Sequence, residues 1–159
     1  MIIRLAWPAA FSAIVLLTAG ARGLCAGDAG ARVEYVGGTL ANLQPKTEGK
    51  VHTTDQAMLA FVAGRANVRV SYGEINLLEY GQQTSRRYVM ALVISPILLL
   101  SKARKHFLTL GYKDTEGNQQ AMVFRVDKND VRALLASLEA RTGLKVAYQD
   151  DEARKAGGG

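Results

Sequence analysis

Residues 105–143 read KHFLTLGYKDTEGNQQAMVFRVDKNDVRALLASLEARTG, and the hydrophobic period changes part-way through them. From His106 to Lys113 the side chains alternate, with Leu108, Leu110 and Tyr112 on one face and Phe107 and Thr109 on the other. A period of two marks a half-buried strand. Asp114 to Asn118 is a polar turn in which Gly117 supplies a positive φ. Gln120 to Val126 then returns, with Met122, Phe124 and Val126 set against Val123 and Arg125. Beyond it the period lengthens. Val131, Leu134, Leu135 and Leu138 fall at i, i+3, i+4 and i+7, after the N-cap candidates Asp127, Asn129 and Asp130 and before a C-cap candidate, Gly143. The stretch predicts a hairpin followed by an amphipathic helix over 129–142. Its leucine stripe faces the core, and Arg132, Glu139 and Arg141 face away.

Working outward, residues 31–81 are strand-rich. Val33–Val36 predicts a strand ending at Gly37-Gly38, and Leu40–Lys46, with Asn42 and Pro45, a connection. Gly49–Thr54 and Met58–Ala63 predict two more strands. Val68, Val70 and Tyr72 alternate with Arg69 and Ser71, and Ile75–Gly81 adds another short apolar segment. Short strands recurring every eight to twelve residues indicate a small barrel or sandwich. Downstream of the helix, Lys145–Tyr148 has strand character, and 149–159, charged and then all glycine, is expected to be disordered.

Between the two halves lies Arg86–His106, RRYVMALVISPILLLSKARKH. Its apolar part, Tyr88–Leu100, would be about 20 Å long as a helix, against a hydrocarbon core of roughly 30 Å. It does not span a bilayer as one straight helix. Pro96 removes an amide donor and pushes Ser95 towards an extended conformation. The expectation is an apolar, helical insert at about 86–101, broken at Ser95-Pro96. Ala91-Leu92-Val93-Ile94 is apolar on every face, which favours burial on more than one side. Three fates are open: packing on the core, dipping into a membrane surface with cationic flanks on anionic headgroups, or burial against a protein partner or second copy. The candidate contact residues are Arg86, Arg87, Tyr88, Leu92, Ile97, Leu98, Leu99, Lys102, Arg104 and Lys105.

Residues 1–27 read as a secretory signal: Arg4, an apolar run over Leu5–Ala21, then small residues up to Gly27. An uncleaved anchor and a lipoprotein acylated at Cys25 are the alternatives. The expected location is the periplasm or cell surface. Cys25 is the chain's one cysteine, so a chain cut after it has none to mispair in an oxidising compartment.

With the hairpin and helix in place, the chain resembles the pleckstrin-homology-like superfamily, including its GRAM type, and small exported bacterial proteins of unknown function. VRVSYGEINLLEYG, residues 68–81, is similar to the middle strands of that superfamily, and residues 105–143 to its last two strands and capping helix. The resemblance covers about 31–148. It implies a mainly β fold with one C-terminal α-helix, a small barrel or sandwich, acting as a binding or scaffold module. Some members hold phosphoinositides on a basic loop near the first strands. Here that region has Arg32 and the isolated Lys46 and Lys50, so the site is not carried over.

The composition narrows the function classes. The 159 residues are 48% hydrophobic, with a net charge of +6. Without Arg4 and Arg22 the charge is +4, from 18 basic and 14 acidic residues, too mild and too poor in interleaved aromatics for a nucleic-acid interface. The histidines, His52 and His106, and the serines, including Ser71, Ser95 and Ser101, form no catalytic motif, and Glu74 and Glu79 read as solvated. The sequence therefore indicates a non-enzymatic exported module with no catalytic residue, cofactor or metal. The alternative is a peripheral membrane-associating or self-assembling protein that uses residues 88–100.

Overall fold

The structure, a computed structural model, describes residues 30–40, 42–82, 93–94 and 106–158. The chain is mainly β. Its strands are β1 (Ala31–Gly38), β2 (Thr47–His52), β3 (Met58–Ala63), β4 (Ala66–Ser71), β5 (Ile75–Gly81), β6 (Val93–Ile94), β7 (Phe107–Lys113), β8 (Gln119–Val126) and β9 (Ala147–Tyr148). The helices are α1 (Val131–Thr142) and α2 (Asp151–Gly157), with a 3₁₀ turn at Tyr72–Glu74. The strands form one mixed sheet in the order β4-β3-β2-β1-β8-β7-β5-β9. Every pairing is antiparallel except β5–β9. The sheet is open, with β4 and β9 at its ends.

The hairpin and helix follow the sequence closely. Gly117 takes φ 84° in the β7–β8 turn. Gly143 takes φ 72° and donates its N–H to the Glu139 carbonyl, closing α1. All four stripe residues, Val131, Leu134, Leu135 and Leu138, are buried. The N-terminus of α1 is tied to β1. Asp130 stands at the N-cap position, but its carboxylate accepts the Arg32 backbone N–H at 2.9 Å and the Arg32 Nε at 3.1 Å. Asp127 donates its N–H to the Arg32 carbonyl. These bonds place α1 against the inner face of the sheet. There Tyr35, Phe61 and Phe124 form an aromatic centre, with Phe61 and Phe124 ring centroids 5.0 Å apart.

Two irregularities shape the sheet. The β1–β8 register shifts between Tyr35 and Gly37, a bulge that leaves Val36 on the outer face. The β5–β7 register shifts between Ile75 and Leu77, beside Gly111, where a Cβ would stand 2.9 Å from the Leu77 Cβ.

Three expectations change. The predicted barrel or sandwich is an open sheet, because the turn at Tyr72–Glu74 separates β4 from β5 and α1 packs beside it. The disordered tail is replaced over 151–157 by α2. The Asp150 side chain caps α2 by accepting the Ala153 N–H at 2.6 Å, and acidic residues open the helix and basic ones close it. Ala153 is fully buried, and Gly157 sits so close to Leu135, Tyr148 and Tyr80 that a Cβ there would collide with Leu135. Within the predicted helical insert, Val93 and Ile94 are extended and pair with Gly38 and Gly37 on the edge of β1 that β2 has left. Two β-branched residues beside an open strand edge satisfy backbone groups by pairing. The rest of the insert lies outside the described residues.

Candidate functional site

The ten predicted contact residues, Arg86 to Lys105, all lie outside the described residues. The base of their segment is defined. Gly81 and Phe107 are antiparallel partners, so the chain leaves β5 at Gln82 and re-enters at His106 side by side.

Next to that base two depressions share Arg125. The larger, a groove of about 490 Å³, runs across β2, β1 and β8 between Arg32, Glu34, Glu48, Lys50, Arg125 and Asp127. Strand register sets its charge pattern. Arg32 lies opposite Lys50 and Glu34 opposite Glu48, so like charges face one another across β1 and β2. Such pairs are unfavourable by themselves. The third strand offsets them, because Glu34 is also opposite Arg125 and forms a close ion pair with it. Arg32 pairs with Asp127 at 3.3 Å and with Asp130. The backbone N–H of Arg32, followed by its side chain, holds the Asp130 carboxyl below the usual range. The groove is therefore lined by both signs of charge, largely matched within the chain. It suits a polar, charged partner surface better than an apolar ligand.

The smaller depression, about 250 Å³, is lined by Tyr80, His106, Arg125, Val126, Lys128, Val131 and Ala156. The His106 ring stacks on Tyr80, with centroids 5.5 Å apart, and Tyr80 meets Tyr148 edge-on. Burial pushes the Tyr80 hydroxyl up to about 12. His106 Nε2 is buried and has no hydrogen-bond partner among the described residues. Glu79, read from sequence as solvated, is half-buried with Oε2 in the same condition, because it lies opposite the buried Thr109. Glu74 is exposed as expected.

The alternation of charged with apolar residues around Arg32, Glu34 and Arg125 is visible in the sequence. Their meeting is not, because only the β1–β8 pairing joins them. His106 and Tyr80 are likewise brought together only by the β5–β7 register. Among the described residues no helix is long and apolar enough to cross a membrane, and no group of three or more His, Cys, Asp and Glu is placed to hold a metal ion. No protein-family model matches this chain, and no curated protein matches it.

Proposed function

We propose that this chain is an exported, non-enzymatic binding or scaffold module of the cell envelope, with a pleckstrin-homology-like architecture. The observation that carries the reading is the order β4-β3-β2-β1-β8-β7-β5, followed in sequence by α1. A run of seven short strands followed by an amphipathic helix agrees with the mainly β fold with one helix after its last strands that the resemblance implies. The interior is filled by Tyr35, Phe61, Phe124 and the α1 leucines, so partners are met on the surface. The Arg125 groove, lined by charges of both signs, is the surface that would meet one.

Two measurements test the proposal. A fusion of residues 1–30 to alkaline phosphatase, which is active only after export, should be active in whole cells; an intact but inactive fusion overturns the export reading. A photo-crosslinking amino acid at Glu48, on the groove, should give one discrete heterologous adduct in the envelope, and the same probe at Lys113, at the far end of β7, should give none. Absence of an adduct from Glu48, or equal adducts from both positions, removes the groove as the binding surface.

The peripheral-membrane alternative draws on the basic residues flanking 88–100. Flotation of the full chain with vesicles of phosphatidylglycerol and phosphatidylethanolamine, lost on Leu98→Asp, would establish it in place of the first reading.

A further inference from the structure

The outer face of the sheet around β1, β8 and β7 is as dry as a protein interior. Val36, Phe107, Ala121 and Val123 form a buried cluster there, separate from the main core. Ala121 and Val123 have no exposed surface, and Thr109 beside them is 1% exposed. One face of a single antiparallel sheet meets water unless something lies on it. Both helices of the described residues bury their apolar side chains in the cluster on the opposite face.

We propose that this outer face is the seat of the chain's own apolar segment, Tyr88–Leu100. The path of the chain singles out that occupant. The stretch that carries the segment, 83–105, starts after Gln82 and ends before His106, beside Phe107, itself a member of the cluster. Its middle is fixed on the other side of the face, where Val93 and Ile94 pair with Gly38 and Gly37, next to Val36. From β5 through β7, β8 and β1 to β6 is four strand spacings, roughly 20 Å at about 4.8 Å each. The arms 83–92 and 95–105, about ten residues each, reach up to roughly 33 Å when extended. Each arm is long enough to cross the face with chain to spare. The composition agrees. Leu92 to Ile94 and Ile97 to Leu100 carry no polar side chain, as a layer held between a sheet and its surroundings requires. The proposal holds whether or not the chain is exported, so its failure and that of the preceding reading are separate.

The test uses the full chain with Cys25→Ser. Thr109→Cys is combined in turn with Leu92→Cys, Ile97→Cys and Leu98→Cys, and separately with Leu16→Cys, followed by a short bismaleimide and peptide mapping. A cross-link within one chain between 109 and at least one of the three segment positions is expected. Cross-linking only to Leu16→Cys, only between chains, or to none of them overturns the proposal. Ala121→Cys replaces Thr109→Cys if that variant fails to fold. A second arm replaces residues 88–100 by a glycine-serine linker of equal length. Maleimide labelling of Thr109→Cys should then accelerate at least 100-fold, while Leu110→Cys, one residue along β7 on the inner face, stays protected. An unchanged rate at 109, or equal acceleration at both positions, counts against a seat on the outer face.

Discussion

Val123 and Phe124 are neighbours on β8, and both are fully buried, yet they face opposite ways. Phe124 enters a core whose cover is on view: α1, Phe61 and Tyr35. Val123 enters a small cluster that, among the described residues, is made of strand residues alone. The inner face is organised by a helix whose sequence announces it. The outer face is apolar only in part, and along β1 and β8 it turns into the charged groove of Arg32, Glu34 and Arg125. A β-sheet with two buried faces needs two layers of cover; α1 and α2 supply one, and the seat proposed for Tyr88–Leu100 would supply the other.

The sharpest way to break this comparison is to cut each side of β8. Phe124→Ala should destabilise by about 3–5 kcal/mol, through lost burial and the cavity left behind. Chemical denaturation of the full chain measures it, and a loss below about 1 kcal/mol would mean that the inner core is loose. Val123→Thr keeps the shape and adds a hydroxyl. On a dry outer face it should cost about 1–3 kcal/mol, and a neutral result would mean that water reaches the face.

Titration separates the inner core from the surface without mutation. Burial pushes the inner tyrosines Tyr35 and Tyr80 up to about 12. A free tyrosine titrates near 10. The fold thus favours their neutral form, and their contribution is complete below about pH 10 and is lost as the pH rises towards 12. The melting temperature should fall over that window, with tyrosinate absorbance appearing at unfolding; early tyrosinate in the folded chain would contradict the burial. On the surface, three carboxyls are held below their usual range: Asp55 by the Ala57 and Met58 N–H groups, Asp114 chiefly by the Gln120 amide, and Asp130 by the Arg32 N–H. Their contribution is complete above about pH 4 and is lost as the pH falls through the lower folded values. Thermal melts between pH 5 and pH 2 should show that decline, and Asp130→Asn should flatten part of it.

The smallest effect belongs to an exposed pair. Lys145 is 90% exposed and 3.8 Å from Glu139, so Lys145→Ala should change stability by less than about 0.5 kcal/mol in the same denaturation assay. A larger loss would mean that this turn contributes more than its geometry suggests. Glu139 also accepts the Val146 N–H at 2.8 Å, so that carboxylate keeps a structural bond when Lys145 is removed.

Much of the fold was legible in residues 105–143, because strand alternation, turn glycine and leucine stripe are local signals that agree with one another. β3 and β5 were equally plain, since each is a short apolar run bounded by glycine or turn residues. Three features were not legible. A tail of charges and glycines gave no apolar stripe, yet Ala153 and Gly157 dock α2 because their small side chains let a backbone approach Tyr80 and Leu135. Val93-Ile94 sat in an apolar run that fits helix and strand alike, and the open edge of β1 decided for pairing. The groove residues were scattered over strand and turn segments that nothing in the sequence joins, and sequence order keeps Glu34 far from Arg125.

The sequence by itself determined the strands and the helix over 31–81 and 106–142, the glycine that closes α1 and the leucine stripe of the inner core, since all of these depend on neighbours within a turn or a strand. The tertiary structure alone decided the open sheet, the docking of α2, the meeting of Tyr80 with His106, and the charge pairs around Arg125. Those depend on which strands lie side by side, a choice made by burial across the whole sheet and not by any one stretch of chain.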